Sequence, residues 1–122
     1  MGKITISPDD LVQEIAETKG ITLLTGTAYT QGMVVVLQDT GKYENEIILN
    51  PEDTPAGTEL PYSEQKVYIL AADVDATGGD AEGVGYTGTF NANKVTFGST
   101  QVVADVAGTL QAKNIILNDW RL

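Results

Sequence analysis

Lys66-Val67-Tyr68-Ile69-Leu70-Ala71-Ala72 is an almost unbroken apolar run of strand length, and shortly after it Val84, Tyr86 and Phe90 recur with period two. The first stretch reads as a buried strand. The second reads as a strand with one apolar face, because successive strand side chains point to opposite sides of a sheet. Between them, Asp73-Val74-Asp75-Ala76-Thr77-Gly78-Gly79-Asp80 is polar and glycine-rich, the composition of a loop. Strand, loop and strand in the middle of the chain set the expectation of a mostly β protein.

Upstream, Ile21 to Ala28 and Met33 to Gln38 read as strands joined by a turn at Thr30-Gln31-Gly32. A turn at Asp39-Thr40-Gly41-Lys42 leads to the apolar run Ile47 to Leu49. Pro51 to Ser63, with three prolines, reads as an exposed loop. Downstream, Asn91-Ala92 suggests a turn and Asn93 to Phe97 a strand. A helix is expected from Gln101 to Lys113, since Val102, Val106 and Leu110 share one stripe with Val103 and Ala107 beside it. Gly108 weakens that helix by up to about 1 kcal/mol relative to alanine. Asn114 suits a left-handed C-cap before a last short strand, Ile115 to Leu117.

At the start, Ser7-Pro8-Asp9-Asp10 has the form of a helix entrance, with Ser7 as cap and both aspartates favourable to the helix dipole. Leu11, Val12, Ile15 and Ala16 form a narrow stripe, and Gly20 is a plausible stop, which predicts a short helix over Pro8 to Thr18. The expected organisation is an N-terminal arm or short helix over residues 1–20, then a single β-rich domain over residues 21–122. A chain of 122 residues is of single-domain size, and its low aromatic content and dispersed glycines suit short strands and tight turns.

Seven basic residues stand against seventeen acidic ones, a net charge of −10. A phosphate backbone would be repelled, so no nucleic-acid partner is expected. No apolar run approaches the roughly 20 residues of a membrane-spanning helix, and the first residues lack the apolar core of a signal peptide, so no membrane partner is expected either. Neither cysteine nor histidine occurs. That removes thiolate and imidazole metal sites, Cys–His and Ser–His nucleophile pairs and histidine pH switches.

Two motifs invite chemistry and fail on context. Gly83-Val84-Gly85-Tyr86-Thr87-Gly88 matches the dinucleotide fingerprint letter for letter, yet an acidic loop precedes it and a strand follows where a helix should open. Asp73, Asp75, Thr77 and Gly78 fall at positions one, three, five and six of a calcium loop, but Val84 stands where a bidentate glutamate is required. Both read as structural. The many carboxylates fall in turns and on exposed faces without a marked acid/base pair, so no catalytic residue, metal or cofactor is assigned. Trp120, in the tail Asn118 to Leu122, is a candidate either for core packing or for a contact between subunits.

The order Gly32-Met33-Val34-Val35-Val36, Thr40-Gly41-Lys42-Tyr43 and Ile69-Leu70-Ala71-Ala72-Asp73-Val74-Asp75-Ala76, with Gly79-Asp80 following, resembles the head decoration proteins of lambda-type bacteriophages. Gly88-Thr89-Phe90-Asn91-Ala92-Asn93 and Leu110-Gln111-Ala112-Lys113-Asn114-Ile115 are similar to that family's closing strand, helix and strand. The resemblance spans roughly residues 21 to 118. Two features depart from it: a forecast helix in place of an extended N-terminal arm, and Asn114 where a glycine is usual.

The resemblance implies a β-clip-like domain that is not an enzyme. It would sit on the outer surface of the virion, bound to the major capsid protein as a homotrimer at local three-fold positions of the expanded shell. Its work would be to stabilise that shell against the pressure of packaged DNA. Within this frame Ile21, Thr22, Leu23, Leu24, Thr25 and Thr27 are the expected capsid-binding arm, and Trp120 a trimer contact. The alternative is a small β-rich binding module for a glycan or host surface.

Overall fold

The computed structural model describes residues 11–98, 101 and 103–118. Eight strands and one α-helix follow in the order β1 (Val12–Leu23), β2 (Ala28–Tyr29), β3 (Val34–Leu37), β4 (Tyr43–Glu44), β5 (Val67–Leu70), β6 (Val74–Asp75), β7 (Ala81–Asn91), α1 (Val103–Ala112) and β8 (Ile115–Asn118). The fold is mostly β, with a single α-helix among the described residues. β1, β4, β3, β5 and β7 are successive neighbours, and β7 pairs back onto β1, so these five strands close into a small ring. β8 extends the sheet beside β7, while β2 and β6 form a separate two-stranded ribbon.

β3 and β5 pair antiparallel with Val34 opposite Ile69, Val35 opposite Tyr68 and Val36 opposite Val67. Alternation then sends Val34, Val36, Val67 and Ile69 outward, where they meet Val106 and Leu110 of α1 with Phe90 and Ile115. Val35, Tyr68 and Leu70 point into the ring, against Ile21, Leu23, Tyr29 and Tyr43. Both faces of the pair are buried, which is why these segments read as continuous apolar runs.

The interior of so small a ring has little room, and β7 supplies it. A Cβ on Gly85 would lie 2.5 Å from the Tyr68 Cβ, and one on Gly83 would press on Leu23, Val74 and Leu70. These glycines belong to the dinucleotide-like string, and the structure places the whole string inside strand β7. Gly88, the last of them, has φ 137°, and a Cβ there would collide with the backbone oxygen of Glu14.

The N-terminal helix forecast over Pro8 to Thr18 is corrected from Val12 onward: that stretch is strand β1, paired antiparallel along β7 from Val12–Phe90 to Leu23–Ala81. Its entrance, Ser7 to Asp10, lies outside the described residues. The helical spacing has a physical origin. β1 carries register shifts between Val12 and Glu14 and between Ile15 and Glu17, so Val12, Ile15 and Thr18 all oppose even-numbered residues of β7 and share one face at intervals of three. A doubly bulged strand thereby imitates a helical stripe. The division at residue 20 likewise falls inside β1, and residues 12–20 belong to the same sheet as the rest.

Two smaller expectations also change. Asn93 to Phe97 is not a strand; a 3₁₀ turn at Ala92–Lys94 forms, capped by the Asn91 side chain, which accepts from the Asn93 N–H, and Thr96 then bridges to Met33. Ile47 to Leu49 is buried at Ile48 and Leu49 yet joins no strand. Glutamine amides replace the partner strand: Gln101 accepts from the Ile48 N–H and donates to its carbonyl, and Gln65 does the same for Leu49. The forecast turn before Ile115 holds, with Asn114 at φ 66° and its carbonyl accepting from the Gly88 N–H at 2.9 Å.

Gly85→Ala is expected to lower the unfolding free energy by roughly 1–3 kcal/mol, the usual cost of overpacking. Gly78→Ala, which meets nothing within 4 Å, should change it by less than about 0.5 kcal/mol. Urea unfolding of the two variants checks this, and equal stabilities would contradict the packing role given to β7.

Candidate functional site

Two features of β1 and its surroundings stand out as places where another molecule could be held. The first is an open strand edge. β1 has β7 along one side for its whole length, but on the other side, among the described residues, only Leu23 finds a strand partner, Tyr43 of β4. Glu14 to Gly20 are exposed, and Ile15 leaves 46% of its surface in solvent. Backbone groups along such an edge offer a template for a strand from another chain.

The forecast arm residues sit at the far end of this strand and are mostly built into the fold. Ile21 and Leu23 are core residues of the ring interior. Thr22 donates from its hydroxyl to Glu82 at 2.8 Å. The Leu24 N–H donates to the Tyr43 carbonyl at 3.0 Å, and the Thr25 N–H to the Asp80 carboxylate at 2.8 Å. Thr27 is exposed just before β2. The exposed part of the strand thus lies N-terminal to the forecast segment, and Trp120 lies outside the described residues.

The second feature is the mouth of the ring. Glu17 of β1, Thr87 of β7, Val67 and Tyr68 of β5, Lys66, Gln65 and Lys113 surround a recess of about 130 Å³. The Lys113 ammonium donates to the Gln65 carbonyl at 3.0 Å and stands 4.8 Å from the centre of the Tyr62 ring. Burial, with Lys66 nearby, holds its pKa below the usual lysine value. Beneath the mouth, Tyr43 and Tyr68 meet edge to face with centroids 5.8 Å apart. Burial raises the Tyr43 phenol to about 12, assisted by Tyr68 and by the Glu17 carboxylate. Burial and Glu17 raise Tyr68 as well.

Sequence reasoning missed this recess. Its residues come from four separate stretches of the chain, and no local spacing connects Glu17 with Lys113. The available signal was Tyr68 itself, a hydroxyl-bearing ring inside an otherwise aliphatic strand.

The calcium-like loop has its acids engaged elsewhere. Asp73 accepts from the Gln31 N–H at 2.8 Å, and Asp75 accepts from both the N–H and the hydroxyl of Thr77, which holds its carboxyl below the usual range. Asp80 pairs with Lys42 at 2.7 Å and is held low by that contact and by the Thr25 N–H. At the far side of the sheet, a shallow groove of about 180 Å³ between α1 and β8 is lined by Ala107, Leu110, Gln111 and Ile115 to Leu117.

Because the folded protein holds the Tyr43 proton more tightly than the unfolded chain, Tyr43 contributes stability that is complete below pH 10 and is lost as pH rises toward about 12. Tyr43→Phe should therefore flatten the decline of the urea midpoint across that window, without abolishing it because Tyr68 is raised too. An unchanged decline would mean that Tyr43 ionises freely in the fold.

Comparison of the chain with protein-family models, with curated proteins and with solved structures finds no match.

Proposed function

We propose that this protein is a structural component of a phage virion, binding the outside of the expanded icosahedral shell as trimers at local three-fold positions. The partner is the major capsid protein, and the effect is mechanical: a trimer spanning several capsid subunits adds contacts that loosening of the shell must break. The resemblance over residues 21 to 118 motivates the reading. The observation that carries it is the edge of β1, which beyond Leu23 has no strand partner among the described residues, since strand addition needs only main-chain groups and a few flanking side chains. Such contacts are weak singly. Three of them on one trimer act together, so dissociation requires all to release at once.

This mode of action asks for no reactive group, and it suits a chain whose acids are spread over turns and strand surfaces. It also gives the exposed Ile15 a use as an apolar anchor beside the main-chain pairing.

Mixing the purified protein with expanded, empty shells of the phage that encodes it should give saturable co-sedimentation at one trimer per local three-fold and a higher shell melting temperature. Ile15→Lys, at a solvent-exposed position, should leave protein stability within about 0.5 kcal/mol. It should weaken shell binding by at least about tenfold, since a lysine on an open edge opposes strand addition. Failure of the parent to bind, together with binding to a glycan or host surface, would replace this reading with an independent binding module.

A further inference from the structure

The recess at the ring mouth brings two lysines together on a molecule of net charge −10. Lys42, by contrast, is already paired with Asp80. Lys66 and Lys113 both line the recess, near enough for the Lys66 charge to act on the Lys113 ammonium. Among the described residues neither is paired with a carboxylate; the Lys113 ammonium donates to the Gln65 carbonyl and lies by the Tyr62 ring face. An ammonium group carries three donors and no acceptor, and two of them side by side favour an anion that can bridge them.

Size restricts the anion. Pockets for drug-sized ligands run to roughly 300–1,000 Å³, and this one encloses about 130 Å³. The space suits one side-chain head group. Thr87 and Tyr68 complete the wall, and a hydroxyl-bearing residue beside an aromatic one suits a carboxylate with a short methylene stem. Glu17 opposes any anion from the rim, which keeps affinity low when the carboxylate comes alone.

We propose that this recess receives the carboxylate of an Asp or Glu side chain from a protein partner, held between the ammonium groups of Lys66 and Lys113. Its rim residue Glu17 lies on β1, so a chain laid along the open edge passes the recess and can drop an acidic side chain into it. The pairing would specify a position along the edge, where main-chain hydrogen bonds alone leave the register free. The proposed partner geometry rests on the strand-edge reading, but the anion site itself is tested on the isolated protein, so either can fail without the other.

The probes are sodium acetate and two blocked tripeptides, glycine-aspartate-glycine and glycine-asparagine-glycine, each titrated at constant ionic strength against sodium chloride. The readout is the lysine side-chain signals in carbon–proton correlation NMR, assigned by substitution. Acetate and the aspartate peptide should shift the Lys66 and Lys113 signals saturably, with chloride and the asparagine peptide leaving them in place. Lys66→Gln should weaken that binding about tenfold, the scale of one charge-assisted contact. Glu17→Gln should strengthen it by about threefold or more, the sign expected when a like charge is removed from the rim. Since both positions are exposed, parent-like amide spectra of the variants establish that they fold. Equal shifts with chloride, or unaltered binding by Lys66→Gln, would overturn the site. Binding of acetate without the aspartate peptide would make it a site for a free carboxylate and overturn the protein-partner assignment.

Discussion

The short pairing of β3 with β5 supports everything else, because it is buried on both faces. Three cross-strand pairs place Val34, Val36, Val67 and Ile69 under the helix and Val35 and Tyr68 inside the ring. Each such side chain is worth about 1.5–3 kcal/mol when fully removed from water, so two apolar layers are anchored by a few residues of sheet. Neither layer can form alone: the helix has a partner only if the outer face is presented, and the ring closes only if the inner face is filled.

Closure explains why the remaining strands have the residues they do. The ring interior holds Tyr43, Tyr68, Leu23 and Leu70, and β7 runs past them with Gly83 and Gly85 where side chains would collide. On the β1 side, closure is achieved by one register pair, Leu23 with Tyr43, reinforced by the Leu24 N–H to the Tyr43 carbonyl. Because so little of β1 is needed to close the ring, most of its outer edge is left over among the described residues. The open edge and the polar mouth are therefore two results of one constraint, a ring too small to take β1 along its full length.

What could be read from sequence followed from this layering. Segments buried on one or two faces carried their pattern openly: the strands around Val34, Val67 and Tyr86, the stripe of Val106 and Leu110, and the left-handed Asn114. Segments whose pairing is irregular did not. The Val12 to Thr18 part of β1 carries a helical spacing because two bulges convert a period of two into intervals of three, while its last residues from Ile21 read as strand. Ile47 to Leu49 kept a strand-like composition while its backbone is satisfied by glutamine amides from residues far along the chain. The ring mouth was invisible for the same reason, since its charged groups meet only after closure.

An open strand edge is a hazard as well as an opportunity, and β1 is built to limit the hazard. Its bulges interrupt the flat repeat of hydrogen-bonding groups between Val12 and Glu17, and bulges twist an edge away from indiscriminate pairing. Glu14 and Glu17 flank Ile15 on the exposed stretch, and two copies of a chain of net charge −10 repel one another on approach. Pairing edge to edge with another copy would bring like charges face to face. A partner must instead match a bulged register and tolerate or complement those carboxylates. The regular part of the edge from Glu17 onward, next to the two lysines of the ring mouth, is where both conditions are most easily met, so the features that oppose edge-to-edge pairing between copies also narrow the choice of partner.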